Sequence, residues 1–116
     1  MTLTGLKVRS KSEVIIADLL DLNKIPFRYE EKLVLGGQIF YPDFTIMKPK
    51  DGEIIYWEHF GMTSQTEYRQ TMIRKQEDYI RLGLLPWDNF IATYDNENGS
   101  INVLKIKSII DSFILN

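Results

Sequence analysis

Apolar residues recur with a helical period near the start of the chain, in its second half and at its end. Between them lie runs of strand character. Ser10-Lys11-Ser12-Glu13 is a capping box: the Ser10 oxygen meets the amide of residue 13, and Glu13 can reach back to the Ser10 amide. A helix is predicted over about 11–23, with Ile16 and Leu20 on its buried stripe and Glu13 extending that stripe toward the N-terminus. Pro26 ends it by disfavouring helical geometry at Ile25. Phe27 to Leu35 reads as a strand, Gly36-Gly37 as a turn, and Gln38 to Met47 as a second strand. Alternation places Phe40, Phe44 and Ile46 on one face and Tyr41, Asp43 and Thr45 on the other. Pro42 lies inside this run, so a bulge or an edge position is expected there.

Lys48-Pro49-Lys50-Asp51-Gly52 is a further turn, and Glu53 to Phe60 a third strand that Gly61 breaks. Ser64-Gln65-Thr66-Glu67 is a second capping box, opening a helix to about Leu82 with Gly83 as its C-cap. Asn89 to Tyr94 is a fourth strand. After the polar loop Asp95–Gly99, Val103, Ile106, Ile109, Ile110, Phe113 and Ile114 predict a closing helix. The order α-β-β-β-α-β-α implies one α/β domain over residues 1–116, a mixed sheet with helices on both faces.

The composition narrows the chemistry. With 44% apolar residues in 116, the chain can build one core. No apolar run approaches the roughly 18 residues of a membrane helix, and Met1–Lys7 lacks a signal peptide's apolar centre. A cytoplasmic protein with no membrane partner is expected. Zero cysteines exclude thiol catalysis and cysteine-based zinc sites, and a single histidine excludes sites needing two imidazoles. The net charge of −2 excludes a broadly basic nucleic-acid coat protein. Local basic clusters remain at Lys7, Arg9 and Lys11, and at Arg69, Arg74, Lys75 and Arg81.

Three acids stand out by position. Asp43 and Glu58 fall on neighbouring strands, where their carboxylates can approach within about 5 Å. Two ionised carboxylates so placed repel unless a cation lies between them, and hard oxygens suit Mg²⁺. Glu13 could approach the same place from the first helix. Taken singly, Glu13 is accounted for by its capping box, Asp43 by a turn and Glu58 by an ordinary edge charge. In the second long helix Tyr68, Met72, Tyr79 and Leu82 form one stripe with Lys75 at its centre. A lysine there must meet a carboxylate, for which Asp43 and Glu58 are the natural partners, or snorkel outward. His59 points with Trp57 to the face opposite Glu58, a packed position. A strand end twisted at Gly61 would bring it toward the acids as a ligand or base.

These segments resemble the PD-(D/E)xK nuclease superfamily, whose restriction-endonuclease-like core is αβββαβ, over about residues 9–95, with an extra C-terminal helix. Pro42-Asp43 matches the first half-motif, Glu58 the second acid, and Glu13 the acid that many members place on the first helix. Arg9–Glu13, Tyr41–Phe44 and Trp57–Gly61 resemble a bacterial and phage-associated subgroup, similar domains of which are attached to helicases. The motif's lysine position is Phe60, which cannot orient water; some members carry that lysine on the following helix, where Lys75 stands. The resemblance implies metal-assisted hydrolysis of DNA. Asp43, Glu58 and the His59 backbone carbonyl would hold Mg²⁺ or Mn²⁺. Lys75 would be catalytic, Glu13 an accessory ligand, and Arg9 and Lys11 contacts to the DNA backbone. DNA, a helicase or other DNA-processing domain, or a second copy of the chain are the implied partners. A catalytically inactive nuclease-fold module that binds DNA or a helicase, and an interaction module whose acids are surface residues, are the competing expectations.

Overall fold

The computed structural model describes residues 1–61 and 66–116. Helix α1, Lys11–Leu22, begins as its capping residue requires: Ser10 is extended and its hydroxyl accepts the Glu13 amide at 3.2 Å. The reciprocal half of the box differs from expectation. Glu13 is buried, and its Oε1 accepts from the Ser10 hydroxyl at 3.0 Å while Oε2 accepts from the Tyr29 hydroxyl at 2.9 Å. The carboxylate is drawn inward along the stripe it shares with Ile16, Ala17 and Leu20 rather than back over the helix end.

Among the described residues six strands form, because each of the first two expected strands is broken. They are β1 Phe27–Tyr29, β2 Leu33–Leu35, β3 Gln38–Phe40, β4 Phe44–Met47, β5 Ile54–Phe60 and β6 Phe90–Tyr94. β1, β4, β5 and β6 make the main sheet, in the order β1-β4-β5-β6. β1 pairs with β4 and β4 with β5 antiparallel, and β5 pairs with β6 parallel. β2 and β3 pair only with each other. The chain thus builds a single hairpin bent in the middle. Pro42 offers no N–H to continue the ladder, and Glu30, opposite the adjoining Asp43, turns the chain at φ +51°. One main-chain bond crosses the bend, from the Glu30 N–H to the Asp43 carbonyl at 3.0 Å. The break also corrects the expected faces. Phe44 and Ile46 pack under α1, whereas Phe40 lies against Tyr79 on the other side of the sheet, ring centroids 5.0 Å apart.

Helices cover both faces. On one, α1 and α3 (Val103–Ile109, widening into a π-helical turn over Ile110–Ile114) enclose Phe44, Ile46, Ile55, Trp57 and Ile91. Val103 stands at the margin of this core, 37% exposed. On the other, α2 (Thr66–Arg81) and the β2–β3 arm enclose Tyr79, Leu84 and Phe90. Ser64 and Gln65 of the expected capping box lie outside the described residues. Gly83, at φ +104°, closes α2 as expected: its amide bonds to the Ile80 carbonyl, and the Leu84 amide to that of Tyr79 at 2.8 Å. Of the described residues in α2 only Tyr79 is buried; Met72 and Leu82 are half-buried and Tyr68 is exposed. The protein is mixed α/β, with a mixed sheet and three helices among the described residues. Among the described residues no helix is long and apolar enough to cross a membrane.

Candidate active site

The bend in the hairpin places the first acid. β4 and β5 pair with Phe44 opposite Trp57, so one step further sets Asp43 opposite Glu58. Asp43 Oδ2 accepts the His59 main-chain N–H at 2.7 Å. Burial and the neighbouring Glu58 carboxylate push the Asp43 carboxyl up to about 8; the His59 amide bond and Lys75 oppose this, and Glu13 adds to it. Glu58 is 4% exposed. Burial also raises its proton affinity, against the pull of Lys75 and the Tyr79 hydroxyl. Two carboxyls that burial makes reluctant to ionise, Asp43 further so beside Glu58, are suited to a divalent cation between them.

The cation on this chain comes from α2. Lys75 Nζ donates to Glu58 Oε2 at 2.7 Å, and the Tyr79 hydroxyl to Glu58 Oε1 at 3.3 Å. Lys75 and Tyr79 lie one helical turn apart, so one face of the helix grips both carboxylate oxygens. The lysine takes the first of its two expected courses. It is not fully desolvated: its side chain is 36% exposed and lines a cavity of about 600 Å³ with Asp43, Tyr41 and Arg9. Phe60, at the expected lysine position, is buried and stacks on Tyr94 at 5.6 Å.

The remaining sequence-predicted residues separate. Glu13 is near enough to Asp43 to raise its proton affinity, yet its own carboxylate is held by Ser10 and Tyr29 and is not among the cavity's lining residues. Arg9 lines the cavity, with its guanidinium paired to Glu30 at 2.8 Å and its side chain 78% exposed. Lys11 is exposed on the first turn of α1 and is not among the cavity's lining residues. The His59 ring points away from the acids, as strand alternation predicted, and bonds to Thr93 and Asp95 on the opposite face. Of His59, the main chain rather than the ring faces the site.

Sequence reasoning missed Tyr29, which bridges the Arg9 amide to Glu13, and the polar partner role of Tyr79. The spacing of Tyr79 from Lys75 was the available signal for the second. Among the described residues no three histidine, aspartate or glutamate side chains gather into a complete metal-binding set. What is present is a carboxylate pair with main chain nearby, a donor set that suits Mg²⁺, which retains waters, better than a fully dehydrated ion. No protein-family model and no curated protein matches the chain.

Proposed function

We propose that this chain is a metal-dependent nuclease domain of the PD-(D/E)xK type that hydrolyses phosphodiester bonds in DNA. The observation that carries the reading is the meeting of Asp43, Glu58 and Lys75, two cross-strand acids and one helix-borne cation, with Asp43 and Lys75 lining one cavity and Lys75 bonded to Glu58. Asp43, Glu58 and the His59 carbonyl would hold Mg²⁺ or Mn²⁺, which would supply charge neutralisation at the phosphate and a more acidic water. The side chains do the rest. Lys75 has three donors and gives one to Glu58, so the others are free to hold the attacking water and a phosphate oxygen. Water adds to phosphorus, one ester P–O bond breaks, and the leaving oxygen takes a proton. Arg9, at the cavity rim, can exchange Glu30 for a backbone phosphate, which its planar fork matches equally well. Glu13 stands behind Asp43 as an accessory carboxylate.

The test is nicking of supercoiled plasmid in Mg²⁺ or Mn²⁺ by the full chain and by Asp43→Ala and Glu58→Ala. Cleavage is expected from the parent alone; equal cleavage by all three removes the assignment. One observation favours a second reading, a domain of this fold that binds DNA or a helicase without cutting. Both cations at the cavity, Arg9 and Lys75, are already paired with carboxylates. DNA retention with no product under either ion selects that reading.

A further inference from the structure

We infer that Ser12, Asp95, His59 and Thr93 form a buried clamp that positions the carboxylates of the site from behind. Its link to turnover rests on the nuclease reading above; its geometry does not.

The four side chains make a continuous chain of hydrogen bonds across three elements. Ser12, on α1, donates to Asp95 Oδ1. The same oxygen bonds to His59 Nε2 at 2.7 Å, and His59 Nδ1 bonds to Thr93 Oγ1 at 2.7 Å. Thr93 also accepts the indole N–H of Trp57 at 2.9 Å. All but Asp95 are nearly sealed: Ser12 is 4% exposed, Thr93 2%, Trp57 0% and the His59 ring 3%. The Asp95 main-chain amide is itself fixed to the Phe60 carbonyl at 2.9 Å. One arrangement of protons satisfies every group. The indole can only donate, so Thr93 accepts from it; with the Thr93 hydrogen given to Nδ1, the ring N–H at Nε2 is directed at Asp95.

Serine, histidine and aspartate are also the residues of a hydrolytic triad, but the order here is wrong for one. Ser12 donates to the carboxylate rather than to the imidazole, so no base withdraws its proton. Nor do any of the four line the 600 Å³ cavity. Their value lies in what each is joined to. Ser12 precedes Glu13, and His59 follows Glu58. The main-chain N–H of His59 holds Asp43 Oδ2 at 2.7 Å. Every acid of the site is therefore either next in the chain to a clamped residue or bonded to its amide. Anchoring the His59 ring to β6 fixes the plane of the peptide whose N–H aims at Asp43. Anchoring Ser12 fixes the first turn of α1 and hence Glu13. These are positioning residues, of the kind that orients ligating groups through a second layer of hydrogen bonds.

The experiment compares the full chain with Thr93→Val, Asp95→Ala and Asp95→Asn, each confirmed folded by its amide NMR spectrum. Two readouts are taken. In metal-free protein, hydrogen exchange of the His59 amide and the ¹³C shift of the Asp43 carboxyl report the clamp directly. In Mn²⁺, kcat and KM for plasmid cleavage report its consequence. Thr93→Val and Asp95→Ala are expected to speed exchange at His59, move the Asp43 shift, and lower kcat by about 10–100-fold with KM little changed. Asp95→Asn keeps an oxygen that accepts from both Nε2–H and Ser12, and is expected to restore both readouts most of the way. An Asn variant as impaired as the Ala variant overturns the clamp in favour of a charge effect. Unchanged exchange and carboxyl shift in the two disruptive variants overturn it outright. If the parent chain does not cut DNA, the nuclease reading fails alone, and the NMR readouts still decide the clamp. Should the disruptive variants fail to fold, Ser12→Ala, which removes only the outermost donor, carries the same two readouts.

Discussion

Neutralising Asp43 should make the protein more stable and the site useless. In the metal-free chain this carboxyl is pushed from an ordinary 3.8 up to about 8, by burial first and Glu58 second. A group that binds its proton more tightly when folded stabilises the fold fully below its unfolded value, and that contribution is lost as pH rises toward the folded value. The window is therefore from about pH 4 to about pH 8, and stability falls across it. At about 1.4 kcal/mol per pH unit the ceiling is about 6 kcal/mol. Asp43 borders an open cavity, so water and small shifts of Glu13, Glu58 and Lys75 relieve part of this; roughly 3 kcal/mol is the working value. Asp43→Asn keeps an oxygen for the His59 amide and never ionises. Urea unfolding followed by tryptophan fluorescence, repeated from pH 5 to pH 8.5 without divalent ions, should show the variant's advantage widening by that amount. A gap that stays constant, or closes as pH rises, refutes the reasoning that burial and the Glu58 carboxylate together raise the proton affinity of Asp43.

Other perturbations probe the remaining parts. Mn²⁺ at about 100 times its Kd should raise the parent's stability by about 2.7 kcal/mol in a thermal scan and leave Asp43→Asn nearly unmoved; equal shifts place the ion elsewhere. Lys75→Ala leaves Glu58 buried without its cation. Because the lysine is partly exposed, a loss of about 2 kcal/mol is expected in urea, with plasmid nicking abolished. Ser10→Ala removes the α1 cap and should cost about 1 kcal/mol in the same assay. Gly36→Ala, at φ +55° with its new Cβ 2.7 Å from Leu82 Cδ2, should cost about 1 kcal/mol and loosen the β2–β3 arm from the end of α2, read by hydrogen exchange in residues 33–40.

What could be read from the residues in advance was whatever is encoded locally. The Ser10 cap, the inward stripe of α1, the Gly83 terminus and the alternation that turns His59 away from Glu58 depend on neighbours within a few positions. The meeting of Lys75 with Glu58 was also legible, since a lysine at the centre of an apolar stripe needs an acid. The bend at Glu30 and Pro42 was only half visible: the proline announced a fault, but a non-glycine residue at positive φ did not announce itself. Phe40 was consequently assigned to the wrong face. The clamp was not legible at all, because Ser12 and Asp95 are 83 residues apart, and a serine after a cap or an aspartate opening a polar loop has an ordinary local explanation.

The origin of the positive charge has a mechanical consequence. A lysine two places along β5 would be locked to the acids by the ladder itself, with no way to leave them. Here Phe60 occupies that place, and the ammonium arrives on a helix seated by one buried tyrosine. The carboxylates sit on paired strands, and the lysine on a helix that meets them through the side chains of Lys75 and Tyr79. The positive charge at Glu58 therefore depends on the packing of α2 against the sheet, whereas the pairing of Asp43 with Glu58 depends on the strand register alone.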